Sequence, residues 1–298
     1  MLAECIDEIL KQKIPVTWSV ELIVINNDPS DDISEIINAR RANTSLEISL
    51  KNEYALGIPF ARNTACKTAL ERGAEWIIFI DDDEFPNPGW LEAYAKATEE
   101  WDAKAFTGPV NYIMPSGCAE WLENKGLRFR KNGSKCSRAG TCNVMFSKDL
   151  LLPPFSLSFD TEMQFTGGSD SDFFMRFVHA GGVILAISEA IVSEHVPPNR
   201  LTIQWRLKRQ YRSSANRVYI KFKLHGAKKT IKDAAREIIM RMLHGTVKLV
   251  ISPLSLIYGY TCFKRTYYHA LRHFSKAFGT IAGLFGNQPQ PYRHVDGY

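Results

Sequence analysis

The chain is poor in the features that mark several large protein classes. Its six cysteines (Cys5, Cys66, Cys118, Cys136, Cys142 and Cys262) form no CxxC pair and no Cys/His ligand spacing. That argues against a zinc ribbon or a disulfide scaffold and for free thiols in a reducing compartment. Met1–Lys13 mixes charge with apolar residues and lacks the continuous apolar stretch of a signal peptide. No internal repeat or low-complexity segment interrupts the 298 residues. The longest apolar stretch, Leu249–Phe263, is broken by Pro253 and Gly259. A membrane-crossing helix needs about 20 residues, so this stretch is too short to span a bilayer.

Acidic residues are scarce in one part of the chain only. Residues 200–298 hold 3 Asp and Glu against 19 Lys and Arg, a net +16; residues 1–199 hold 29 against 18, a net −11. Opposite charge on two regions points to different partners for each. The two regions could also simply attract one another.

A 45% hydrophobic content supports one substantial core with a helical appendage. Glu21–Ile25 and Leu46–Leu50 read as strands, the first ending in the turn Asn26-Asn27-Asp28-Pro29. Between them Asp31–Arg41 reads as a helix capped by Ser30, with Ile33, Ile36 and Ile37 on one face. Pro59 opens a second helix, and Gly73 stands just past its end. Trp76–Ile80 is an apolar strand that runs directly into Asp81-Asp82-Asp83-Glu84. Alternating strands and helices, with strands apolar throughout, predict an α/β fold with a parallel sheet covered on both faces. Ala105–Ile113 and Thr141–Phe146 are further strands, flanking a polar loop from Gly117 to Gly140. Ser169–Ala180 is an acid-led helix followed by the strand Val183–Ile187. Beyond Pro197-Pro198 two basic amphipathic helices follow, Leu201–Leu224 and Ile231–Val250. The expected division is an α/β domain over 1–199 and a basic helical extension over 200–298.

Two clusters carry chemistry. Three adjacent carboxylates at the end of a buried strand repel one another, and a hard divalent cation shared with substrate phosphates offsets that repulsion. In open α/β sheets ligands bind beyond the carboxyl ends of the strands, where this acidic run lies; a solvated acidic loop is the plainer alternative. Thr166-Gly167-Gly168-Ser169-Asp170-Ser171-Asp172 sets carboxylates at a helix start, where they complement the dipole or serve as a general base.

In order and spacing these segments resemble family-2 glycosyltransferases of the GT-A fold. The resemblance runs over about residues 1–225. It rests on Val24-Ile25-Asn26-Asn27-Asp28, Gly57-Ile58-Pro59-Phe60-Ala61-Arg62-Asn63, the Asp81–Asp83 run, Phe159-Asp160-Thr161-Glu162, Gly167–Phe174 and Glu194–Thr202. The last segment is similar to the bacterial exopolysaccharide branch, such as the succinoglycan glucosyltransferases. The resemblance implies a GT-A-like, Rossmann-type, mostly parallel sheet and a nucleotide-diphosphate sugar donor. It implies a glycan or lipid-linked glycan acceptor, Mg or Mn, and inversion at the anomeric carbon. Asp83, with His195, would hold the metal, and Asp170 would be the catalytic base. Asn26, Arg62, Asn63, Asp81 and Asp82 would border the nucleotide sugar, and Arg206, Arg209 and Arg212 the diphosphate. His195 could equally be packed, and the arginines could belong to a solvated basic face. Ser169 stands where many members carry Glu, so the usual acidic pair is incomplete. The family's first strand is absent, and Met1–Leu10 resembles the helix that follows it.

The basic extension implies a peripheral position on an anionic membrane surface at the cytoplasmic face. Two rival readings stand beside this one: an inactive truncated relic, and a nucleic-acid-binding protein. The basic helices carry Ile, Met and Leu stripes but no recognisable DNA- or RNA-binding module, which argues against nucleic acid as a partner.

Overall fold

The computed structural model describes residues 1–28, 30–118 and 130–292. Pro29 of the expected first turn and part of the loop expected at Gly117–Gly140 lie outside these residues. The elements run α1 (Leu2–Leu10), β1 (Glu21–Asn26), α2 (Ser34–Arg41), β2 (Glu47–Asn52), α3 (Ile58–Glu71), β3 (Trp76–Ile80), β4 (Glu84–Pro86) and α4 (Trp90–Glu100). There follow β5 (Ala105–Thr107), β6 (Val110–Ile113), β7 (Lys135–Cys136), β8 (Asn143–Ser147), α5 (Ser169–His179), β9 (Ile184–Ala186) and β10 (Val192–His195). Two long helices close the chain, α6 (Ile203–Ile251) and α7 (Tyr260–Leu284).

Contacts divide the described chain into two compact units. One holds residues 1–113, 130–165 and 169–195; the other holds 114–118, 166–168 and 196–292. In the first unit β1 and β2 form a parallel pair over all six residues. A five-stranded sheet runs in the order β3-β8-β5-β9-β7, and a three-stranded one in the order β4-β10-β6. β5 with β9 and β6 with β10 are parallel, whereas β8 is antiparallel to both its neighbours.

The unbroken apolar run of β3 has a direct cause. Ile77 and Phe79 enter one core cluster with Phe146, Phe159, Phe173 and Phe177, while Trp76, Ile78 and Ile80 enter another with Trp90, Tyr94 and Met145. Both faces are covered, so neither can be polar. A third cluster, Ile6, Ile37 and Ile48, seats α1 and α2 on the β1–β2 pair.

Three local expectations are corrected. The first interstrand helix begins at Ser34 rather than Asp31, and Ser30 is not its cap. The Asp28 carboxylate accepts from the Ser30 amide and hydroxyl, and Asp32 accepts from the Ser34 amide, so short turns use up the segment ahead of the helix. The strand expected over 105–113 is two strands. At Gly108 the chain passes so close to the Ala190 carbonyl that a Cβ there would sit 1.8 Å from its oxygen.

In the second unit α6 is interrupted at Gly226, whose φ is 73° and ψ 172°, between the two basic helices read from the sequence. α7 packs back along α6. Gly279 permits the closest approach, since a Cβ there would lie 2.1 Å from the Tyr211 carbonyl oxygen. No described helix is long and apolar enough to cross a membrane.

Candidate active site

The acidic run emerges from β3 where the main sheet ends. The Asp81 side chain, which keeps 45% of its surface open, forms the floor of the candidate site. Burial, with Asp83, Asp170 and Asp82 nearby, pushes its carboxyl up to about 6 against the opposing pull of Arg62. Asp82 is raised as well, by burial and by Asp83.

Arg62, on α3, ties this floor to α5. Its guanidinium lies 3.9 Å from the Asp81 carboxylate, donates to the Ser169 hydroxyl at 3.1 Å and sits over the Phe159 ring. The buried Ser169 thus joins an arginine where a second acid was expected. Asp170, the next residue, opens α5 and accepts from the Ser171 amide at 2.7 Å. It lines a cavity of about 320 Å³ with Thr107, Arg130, Arg138, Cys142 and Ser171. A side chain at Gly140 would come within 3.3 Å of the Asp170 Oδ2.

Cys142 reports on the surroundings. Burial and the charges of Glu84, Asp81, Asp170 and Glu194 raise its thiol well above the ordinary range. Four carboxylates from three separate segments therefore share one neighbourhood.

Glu84 and Glu194 had no assigned role in the sequence. They are cross-strand partners in the antiparallel register of β4 and β10. Glu84 is only 1% exposed and accepts from the Asp81 amide. Burial, then Asp81 and Glu194, push its carboxyl to about 10, so it holds a proton at neutral pH. One step beyond the paired residues of this register lie Asp83 and His195. His195 is exposed, with its ring 5.2 Å from that of Phe85. Glu84 was visible as the fourth acid of its run, but no spacing connects it to a residue 110 positions later.

The remaining candidates divide. The Asn26 amide donates to the Asp31 carbonyl and accepts from the Asp28 amide, which shapes the turn after β1. The Asn63 Nδ2 donates to the Phe159 carbonyl and its Oδ1 accepts from the Phe159 amide. With both amide ends engaged, Asn63 pins the segment before α5. Arg209 stacks over Trp205 and the half-buried Arg212 over Tyr292, both within the second unit. Among the described residues no three His, Cys, Asp or Glu side chains group closely enough to hold a metal ion unaided. The donors present are hard carboxylate oxygens, which suit a cation that takes its other ligands from diphosphate and water.

The α/β fold that carries these carboxylates is GT-A-like. Residues 1–151, just over half of the chain, match glycosyl transferase family 2, and the chain belongs to that family. It is 29% identical over 220 residues to the succinoglycan biosynthesis protein ExoM of Rhizobium meliloti, covering 71% of this chain and 68% of that one. The fold is similar to Staphylococcus aureus TarS 1–349 in complex with UDP-GlcNAc, with a TM-score of 0.54 at 14% identity over 96% of this chain and 88% of that one. It is also similar to GalNAc-T7 with UDP, GalNAc and Mn2+, with a TM-score of 0.53 at 12% identity over 76% and 50% of the two chains. The chain is a glycosyltransferase.

Proposed function

We propose that the enzyme transfers a sugar, with inversion, from a nucleoside-diphosphate sugar to a hydroxyl of a glycan or lipid-linked glycan in bacterial cell-surface polysaccharide synthesis. The observation that carries this reading is the Arg62 guanidinium, which lies 3.9 Å from Asp81 and 3.1 Å from the hydroxyl of Ser169, the residue before Asp170. Asp170 takes the proton of the acceptor hydroxyl as its oxygen bonds to the anomeric carbon, and the nucleoside diphosphate departs from the opposite face. One base in line with one leaving group gives single displacement.

Asp81, Asp82, Asn26 and Arg62 face the donor. Asp83 and His195 would hold Mg or Mn, which when bound neutralises the departing diphosphate. Burial, joined by the neighbouring carboxylates, lifts Asp81 and Glu84, and a cation at this place would offset the negative charge gathered there.

The second unit holds the enzyme at the cytoplasmic face of an anionic membrane. Its support is the charge of the chain's end: no Asp or Glu lies between Glu237 and Asp296.

The test is a nucleotide-release assay across a panel of UDP-, GDP- and dTDP-sugars with glycan and lipid-linked acceptors. Proton NMR of the product then reads the anomeric configuration. Donor-dependent transfer with inversion is expected. Transfer with retention would refute Asp170 as the lone base.

A further inference from the structure

The turn between α6 and α7 has its polarity reversed. Its serines are the buried residues: Ser252 is 2% and Ser255 7% exposed. Their hydroxyls donate to the Leu249 and Ser252 carbonyls at 2.7 and 2.5 Å. The large apolar residues around them face outward, with Leu254 63%, Ile257 81% and Tyr258 84% exposed. Serines that close backbone carbonyls from within, under an apolar exterior, are the arrangement a chain needs where no water can serve as partner.

The reversal continues along the helices. On α6 the exposed Lys232, Arg236, Ile239, Leu243, Val247 and Val250 recur at spacings of four and three and so form one face. That face is cationic away from the turn and apolar towards it. At the start of α7 Tyr260 is exposed, and the Lys264 ammonium lies 4.3 Å over its ring.

We propose that the α6–α7 hairpin inserts its tip, residues 249–260, into one leaflet of an anionic phospholipid bilayer, with Lys248, Lys264 and Arg265 at the headgroups. This rests on the membrane reading above and adds where and how the contact is made. A second copy of the chain is the other conceivable occupant. It is disfavoured because Leu254, Leu256, Ile257, Tyr258 and Tyr260 are all exposed on a protruding turn. A fluid apolar medium surrounds such a tip, whereas a folded partner covers one side of it. The cations fit anionic lipid, and their aliphatic stems let the charges reach the headgroups from within the apolar zone.

The full chain is floated with phosphatidylcholine vesicles, with and without phosphatidylglycerol, at low and at high salt. The comparison is the double variant Leu254→Asp, Ile257→Asp, with circular dichroism confirming its helix content. The wild type should stay partly bound in high salt, because apolar insertion is not screened. The variant should bind only at low salt, with vesicle partitioning in high salt reduced at least about tenfold. Separately, Ile257→Trp should add emission that acyl-brominated lipid quenches. Equal high-salt binding of variant and wild type would overturn tip insertion while leaving membrane docking intact. Wild type that floats under no condition would overturn both. A vesicle-free dimer that the variant abolishes would assign the tip to a second copy and overturn the proposal.

Discussion

Glu84 and Glu194 face each other across the antiparallel pair β4–β10, with Glu84 almost sealed from solvent and accepting the Asp81 amide. The pair stands directly behind the acidic run that leaves β3. It adds negative potential at the place where the sequence already concentrates carboxylates, and only a proton or a cation relieves it.

The proton on Glu84 makes stability depend on pH in the metal-free protein. Its folded pKa, about 10, stands above the ordinary 4.5. Between these values the folded chain keeps a proton that the unfolded chain has released, so stability falls as pH rises through that window. Below pH 4.5 both states are protonated and the difference vanishes. Glu84→Gln mimics the neutral acid and can still accept from Asp81. Urea midpoints in chelator should therefore match wild type near the lower limit and exceed it increasingly towards pH 8. Parallel curves across that range would show that Glu84 is ionised in the fold.

Asp170→Asn and Asp83→Ala should separate two roles. Removing the base should lower kcat by about 10² to 10⁴ while donor affinity stays near wild type. Removing the metal ligand should weaken donor binding and raise the Mn concentration needed for half activity. Chelator should abolish turnover in the wild type, and added Mn or Mg should restore it. Calorimetric donor titrations beside single-turnover rates check both. If both variants lose donor binding equally, the two carboxylates form one binding site and the division of roles is wrong.

Asn143 is predicted to be the most sensitive polar residue beneath the site. Its Oδ1 accepts from Trp90 Nε1 at 3.0 Å and the Tyr94 hydroxyl at 2.7 Å, and its Nδ2 donates to the Pro109 and Ala190 carbonyls. Asn143→Ala would strand all four partners in the core. A loss of about 3 kcal/mol is expected. That corresponds to a fall in Tm of roughly 6 to 12 °C. Tyr94→Phe, which removes the hydroxyl's bonds to Asn143 and from the Gly108 amide and leaves the rest of the network, should cost about 1 to 2 kcal/mol. Thermal unfolding of the two variants gives the comparison, and near-equal values would show that the network is not shared through Asn143.

Local chemistry carried much of the reading. The run Trp76–Ile80 followed by four acids announced a strand end with a charged site, because a strand covered on both faces must be apolar and carboxylates must lie where it leaves the core. Pro59 and Gly73 bounded α3 for stereochemical reasons that need no tertiary context. The start of α2 was misread because side-chain bonds from Asp28 and Asp32 compete with a helix cap, and sequence does not rank such competitors.

What sequence by itself determined was the alternation of elements, the acidic strand end, the acid-led helix and the basic tail, since each follows from short-range sterics and periodicity. Tertiary structure alone decided which distant residues share a site. It placed Glu194 against Glu84, gave the Asn63 amide to Phe159 and set Ser169 on Arg62. It also turned Ser252 inward and Ile257 outward at the α6–α7 turn. Strand register, burial and the electrostatic potential of a cleft are sums over residues far apart in the chain, and no local pattern encodes such a sum.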